Sequence, residues 1–420
     1  MDTTAVIVGA GQAGLAMSSC LTRRGIDHVV LERGRIGERW QSERWDSLQL
    51  LTPNWMTRLP GYRYDGPDPD GFMTMPEVAA FFRAYAESFS APVIGDTTVF
   101  GTTRTSGRFE LQTSSGTFRS RFLIAATGAS ATPNIPASAS DAPARLGQTT
   151  PKFYRRPEQL SDGGVLVVGA SASGIQLARE IHESGRPVII AVGGHTRLPR
   201  RYRGVDIHQW FDWMGTLDRT HDTFADLDAA RAEPSLQLVG TAEGRNVDLV
   251  ELDRIGVRIA GRLQGFDGER ATFDRSLRRS IAAADDGQAG LLARIDRWAT
   301  EHGLDAELDG PHRPPSLPVG GDITDLDLRV AGISSVMWAT GYRPDYSWMG
   351  LPVVRPDGGI DHDGGIVTSC PGLYLMGMPL MRTRKSTYID GVAADAEYLS
   401  GHLSGRLGLD DLVTSGTVTG

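Results

Sequence analysis

Six residues near the amino terminus, Gly9-Ala10-Gly11-Gln12-Ala13-Gly14, have the types and spacing to hold a diphosphate. The first glycine allows a tight turn, the second lets a pyrophosphate approach the backbone, and the third lets a helix pack closely on a strand. The amides at the start of that helix face the negative charge. Glu32, with Arg33 beside it, follows 23 positions after Gly9 at the end of the next apolar run. An acid there binds a free ribose diol.

The spacing recurs in Gly169-Ala170-Ser171-Ala172-Ser173-Gly174, where serines add hydroxyl donors. The position 23 residues after Gly169 is Val192, followed by Gly193-Gly194, so no acid repels a 2′-phosphate. Arg197, Arg200, Arg201 and Arg203 cluster just beyond, and guanidinium forks suit phosphate. The pattern suits NADPH at the second turn. Alternatively the arginines form a solvated loop, or pair with Asp206 and with glutamates elsewhere. Two Ala-Thr-Gly tripeptides, Ala126-Thr127-Gly128 and Ala339-Thr340-Gly341, each end an apolar strand, and small residues there let the chain leave a sheet close to a nucleotide.

Elements that position these turns are legible from periodicity. Strand 4–8, helix 12–24 and strand 28–32 frame the first turn. Strand 165–168, helix 172–184 and strand 187–192 frame the second. Between them come a helix over 76–89, strands near 97–100, 108–113 and 121–126, and an Ala/Ser/Pro-rich linker at 129–147. Strand-like pieces follow at 255–273, a helix at 288–302, strands at 333–338 and 373–376, and a final helix near 389–403. The expected fold is α/β: two Rossmann-like dinucleotide-binding domains in three layers. The first is discontinuous, 1–150 and 331–420. The second, 151–330, is inserted and carries an irregular insertion at about 205–305. There Trp210, Phe211 and Trp213 either wall a substrate pocket or fill a core.

Composition narrows the function. The chain has 420 residues and a net charge of −8, which disfavours general binding to nucleic acid or anionic membrane. Its two cysteines, Cys20 and Cys370, form no CxxC, arguing against a dithiol centre, and no metal-ligand spacing occurs among nine histidines. No basic-apolar leader precedes the first strand, and no run of eighteen apolar residues occurs. A soluble cytoplasmic protein is expected, with a homodimer left open.

Along nearly its whole length the sequence resembles the flavin-containing monooxygenase family, especially its bacterial and plant YUCCA-like branch. The residues that carry this are the GAGQAG turn with Glu32, Gly37-Glu38-Arg39-Trp40, Arg44-Trp45-Asp46-Ser47-Leu48 and Leu51-Thr52-Pro53. Both Ala-Thr-Gly elements, Tyr154-Arg155-Arg156-Pro157-Glu158, the GASASG turn, and Trp338 through Tyr342 complete it. The resemblance implies FAD at the first turn and NADPH at the second. It also implies transfer of one oxygen atom from O2 to a small organic substrate through a C4a-(hydro)peroxyflavin. It places Trp40 and the Leu51-Thr52-Pro53-Asn54 turn along the isoalloxazine, and Gly377 near the flavin or its ribityl chain. Asn54 is either the catalytic polar group at the flavin's reactive edge or a turn-former after proline. The family's linker histidine is missing: Thr150 and Pro151 occupy its region between Gly147 and Tyr154. That departure leaves open N-, S- or Baeyer–Villiger oxygenation. An NADPH oxidase or reductase without oxygenation, and a redox-sensing flavoprotein, are the competing functions.

Overall fold

The computed structural model describes residues 1–241 and 244–415. In strand Asp2–Val8, every residue from Ala5 to Val8 is buried, as an interior parallel strand requires. It runs parallel to His28–Leu31 on one side and Gly116–Ala125 on the other. Val93–Ile94 and Leu373–Leu375 extend the parallel sheet, and Val99–Thr105 and Arg108–Thr113 continue it antiparallel. Alternate residues serve opposite faces. Ala5 and Ile7 pack towards helices Gln12–Arg23 and Met75–Ser88, and Val6 and Val8 towards Phe109, Leu111 and Trp348. Helix Met75–Ser88 starts at a capping box in which Glu77 accepts from the Thr74 amide at 2.8 Å, with Pro76 in its first turn.

The second sheet repeats this plan. Strand Gly164–Val168 lies between Val188–Ala191 and Ile333–Trp338, with Gly147–Thr149 and Arg258–Ala260 at the edges, all parallel. An antiparallel trio, Leu263–Asp267, Arg270–Phe273 and Asp325–Asp327, follows. The registers coincide: Ala5 faces His28 as Val165 faces Val188, and Val8 faces Ala125 as Val168 faces Trp338. Two doubly wound α/β units are therefore present, as the duplicated turns imply. Two boundaries differ from expectation. Strand Ile333–Trp338, assigned to the returning first domain (331–420), is hydrogen-bonded inside the second sheet, and Gly147–Thr149, assigned to 1–150, is its edge. A strand's sheet is decided by its tertiary partner, which an apolar run does not name.

The insertion is more ordered than its sequence suggests. Helix Leu277–Glu301 begins eleven residues before the expected 288, because Leu277, Ile281 and Ala284 continue the buried stripe of Gln288, Leu291 and Ile295. Trp210 and Phe211 are buried against that helix as core, whereas Trp213 is exposed and stacks on Trp298. One apolar cluster runs through both units, from Ile7 and Phe82 to Val167 and Ile190. In the linker, Lys152 donates to Ala131 O at 2.7 Å and Tyr154 to Glu180 at 2.7 Å, the polar contacts made where the family histidine is missing.

Asp395 on the terminal helix Val392–Ser415 is wholly buried, and neither carboxylate oxygen accepts a hydrogen bond among the described residues. Ser386 faces it, but the serine hydroxyl donates to Thr383 O at 2.8 Å. Burial pushes the Asp395 carboxyl up to about 6 from its ordinary 3.8, against the pull of Ser386, Arg382 and His221. An acid raised on folding destabilises the fold above its folded pKa and has no effect below its unfolded one. Asp395→Asn should therefore stabilise the protein at pH 8 by up to about 3 kcal/mol. The gain should shrink as pH falls from 6 to 4 and vanish below that range. Urea unfolding at both ends of the range measures it, and an equal effect at pH 8 and pH 4 would contradict the assignment.

Candidate dinucleotide-binding sites

At the carboxyl end of the first sheet a cleft of about 480 Å³ opens over the GAGQAG turn. Gly9, Gly11, Gln12, Ala13, Glu32, Arg33, Gly37, Trp40, Ala126, Thr127, Gly128 and Gly377 all line it. Gly9 has φ +109°, and a Cβ on it would lie 2.6 Å from Ala126 O. Gly14 stands behind the cleft, where a Cβ would lie 1.8 Å from Gly9 O. A Cβ on Gly11 would meet nothing within 4 Å. Bare backbone is thus needed at 9 and 14 by the fold and at 11 only by a ligand. Glu32 accepts from the amides of Ala10 (2.7 Å) and Gly34 (3.2 Å). A carboxylate has about four acceptor sites, so capacity remains for a diol. Thr127 Oγ1 is buried in the lining with no partner among the described residues, a donor without an acceptor.

The second turn has the same skeleton. Gly169 also has φ +109°, a Cβ on it would lie 2.4 Å from Ala339 O, and a Gly174 Cβ would lie 1.9 Å from Gly169 O. Each Ala-Thr-Gly therefore underlies its own glycine turn. Ser171 replaces the glycine whose counterpart has open space, which explains why a side chain is tolerated. Ala172 and Ser173 open helix Ala172–Glu183. Gln237 braces the turn by donating to Ala170 O at 2.6 Å. Thr340 donates to Asn134 O, and Gly341 O accepts from Asn134 N at 2.9 Å.

Three of the four arginines are paired with acids, the alternative left open by the sequence. Arg197, 4% exposed, donates to Asp248 (2.9 Å), Asp285 (2.6 Å) and Pro315 O (2.6 Å). Arg200, 1% exposed, donates to Asp206 (2.7 Å) and Leu51 O (2.6 Å) and lies 4.4 Å over Phe72. Arg203 binds Asp305 at 2.8 Å. Only Arg201 of the four is exposed, donating to Gly204 O at 2.7 Å. Asn54 makes the contacts of a turn-former. Buried outside the cleft, its amide donates to Asp68 O at 2.9 Å and its carbonyl accepts from Met73 N at 2.8 Å, pinning the 68–73 loop. Leu51 and Thr52 do not line the cleft either; Leu51 O is the anchor for Arg200.

The structure adds residues that no motif marked. Phe100, 62% exposed, lines the first cleft from a strand whose register slips between Val99 and Gly101, a bulge that re-aims a side chain. Trp348 enters the cleft from a loop far along the chain. Cys20 and Cys370 belong to clusters on opposite faces of the first sheet, and burial pushes the Cys20 thiol up to about 11. No group of three His, Cys, Asp or Glu positioned for a metal occurs among the described residues. No helix among them is long and apolar enough to cross a membrane.

Breaking a buried ion pair by removing one partner costs about 3–5 kcal/mol. Arg197→Ala and Arg200→Ala should each lose stability on that scale in denaturant unfolding, whereas Arg201→Ala should stay within about 0.5 kcal/mol. Equal costs at all three positions would undo the distinction between buried and exposed arginines.

Comparison with known proteins agrees with this geometry. Residues 6–207 match the family described as pyridine nucleotide-disulphide oxidoreductase. An uncharacterized oxidoreductase CzcO-like from Geobacillus kaustophilus is 31% identical over 94% of this chain and 96% of its own. Probable indole-3-pyruvate monooxygenase YUCCA4 of Arabidopsis thaliana is 30% identical over 48% of this chain and 49% of its own. The fold is also that of a flavin-containing monooxygenase from Stenotrophomonas maltophilia, with TM-score 0.66, 18% identity, and 97% and 99% of the two chains covered. Near-full-length likeness at 31% identity shows that the chain belongs to the family of CzcO-like oxidoreductases, and its fold is the one seen in flavin monooxygenases.

Proposed function

We propose that the protein is an NADPH-dependent FAD monooxygenase that inserts one oxygen atom from O2 into a small organic substrate. The observation that carries this is the duplicated frame, with an acid at position 32 and none at the equivalent Val192. FAD fits the first cleft. Glu32 meets its adenosine ribose, the open face of Gly11 admits its pyrophosphate, and Thr127 offers a donor that the protein leaves unused. FMN has no adenosine ribose for Glu32 to bind. NADPH fits the turn at 169–174. The flavin, once bound, supplies the redox and oxygen chemistry, and the chain supplies position and dryness.

The protein's own tasks follow from its side chains. Gln12 accepts from Trp40 Nε1 at 3.3 Å, fixing the indole at the cleft wall. Gly377, whose added Cβ would lie 3.0 Å from that of Ala13, keeps the opposite wall close to the helix start. Trp40 and Trp348 exclude water from the cleft, which favours oxygen transfer over loss as peroxide. The relatives named for monooxygenation support this reading over a simple reductase.

Denatured protein should release FAD rather than FMN. With NADPH and 18O2, a substrate library should yield products that carry one labelled atom. If hydrogen peroxide accounts for all NADPH consumed and no product is labelled, the enzyme is an NADPH oxidase.

The glycines give a sharper test of the cleft. Gly11→Ala should fold as the wild type does but purify with little FAD. Gly14→Ala should lose both FAD and stability, because its methyl group has no space. Flavin content and denaturant midpoints measure this. A yellow Gly11→Ala protein would remove the pyrophosphate from that position.

A further inference from the structure

With Arg197, Arg200 and Arg203 held by aspartates, a cation to recognise the 2′-phosphate of NADPH must come from another place. The two copies can be aligned strand by strand through their third strands. In the first unit Leu31 pairs with Ile94, and the Glu32 amide donates to Ile94 O at 3.0 Å. In the second, Ala191 pairs with Ala260, and the Val192 amide donates to Ala260 O at 3.0 Å. Ile94-Gly95-Asp96 therefore corresponds to Ala260-Gly261-Arg262. In the first unit the positions just past these strands hold two acids, Glu32 and Asp96. In the second they hold Val192 and Arg262. The charge is reversed where the adenosine ribose is read.

Arg262 is exposed, and its guanidinium lies against Gly193: Nε and Nη2 are each 3.2 Å from where a Gly193 Cβ would stand. Glycine at 193 is what lets the planar cation come so close to the strand end. Asp274 accepts the Arg262 main-chain amide at 3.1 Å, and no described carboxylate forms an ion pair with its guanidinium. Burial lowers the pKa of nearby His195, whose Nδ1 donates to Gly193 O at 3.1 Å. We propose that Arg262, seated on Gly193 at the carboxyl end of the second sheet, binds the 2′-phosphate and sets the preference for NADPH over NADH, an inference that rests on the coenzyme assignment above.

The test uses 2′,5′-ADP and 5′-AMP as probes, titrated calorimetrically into the purified full chain without turnover. A charge-assisted contact of this kind is worth about ten- to a hundredfold in affinity. Wild type should bind 2′,5′-ADP more tightly than 5′-AMP by that factor. Arg262→Ala should remove most of the difference, Arg262→Lys should keep part of it, and Arg262→Glu should invert it. Arg201→Ala should leave it intact. The ratio of NADPH to NADH flavin-reduction efficiency should move in parallel. If Arg262→Ala retains wild-type discrimination, or Arg201→Ala is the variant that loses it, the inference is overturned. If wild type itself does not distinguish the two probes, the NADPH reading fails along with it.

Discussion

Much of this molecule depends on the absence of two atoms. At Gly9 and again at Gly169 the backbone passes so near the carbonyl of an alanine ending a neighbouring strand that no Cβ fits. Because the turn can lie that low, the following helix can start directly above the sheet's carboxyl end, with its first amides facing the cleft. The alanines at 126 and 339 must be small for the same reason. Around this contact, repeated with the same dihedral angle, the chain builds two units whose strand registers agree from Ala5 to Val8 and from Val165 to Val168. Everything that distinguishes the units lies at the rims.

What was legible in the sequence is what depends on local geometry. The glycine turns, the acid at 32, and the order of strands and helices around each turn are encoded within about thirty consecutive residues, the length of one βαβ unit. Those residues form one wall of the first cleft. The roles of Arg197 and Arg200 were not legible in that way. Asp248 is 51 residues from Arg197 and Asp285 is 88, and no local pattern says that they converge. Asp206, only six residues from Arg200, was visible as a competitor, and it is the partner found. Asn54 illustrates the same limit: a polar residue after proline fits a turn or a reactive site equally well until its partners at 68 and 73 are seen.

The insertion shows the opposite kind of error. Its low regularity suggested a helix only from 288, yet the helix starts at Leu277, where the apolar stripe was too sparse to mark its start. Propensity there is modest and packing decides the boundary. Phe100 and Trp348 escaped detection for a different reason: a bulge and a distant loop bring them to the cleft, and neither feature leaves a spacing that can be read.

The contact between Arg200 and Leu51 O has a mechanical meaning. It joins a buried cation of one unit to the main chain of the other, with Phe72 beneath it, in a molecule whose apolar interior is already continuous across the boundary. Swinging one unit away from the other would strand a desolvated guanidinium and open the shared interior, so any such motion carries the cost of a buried charge left unpaired.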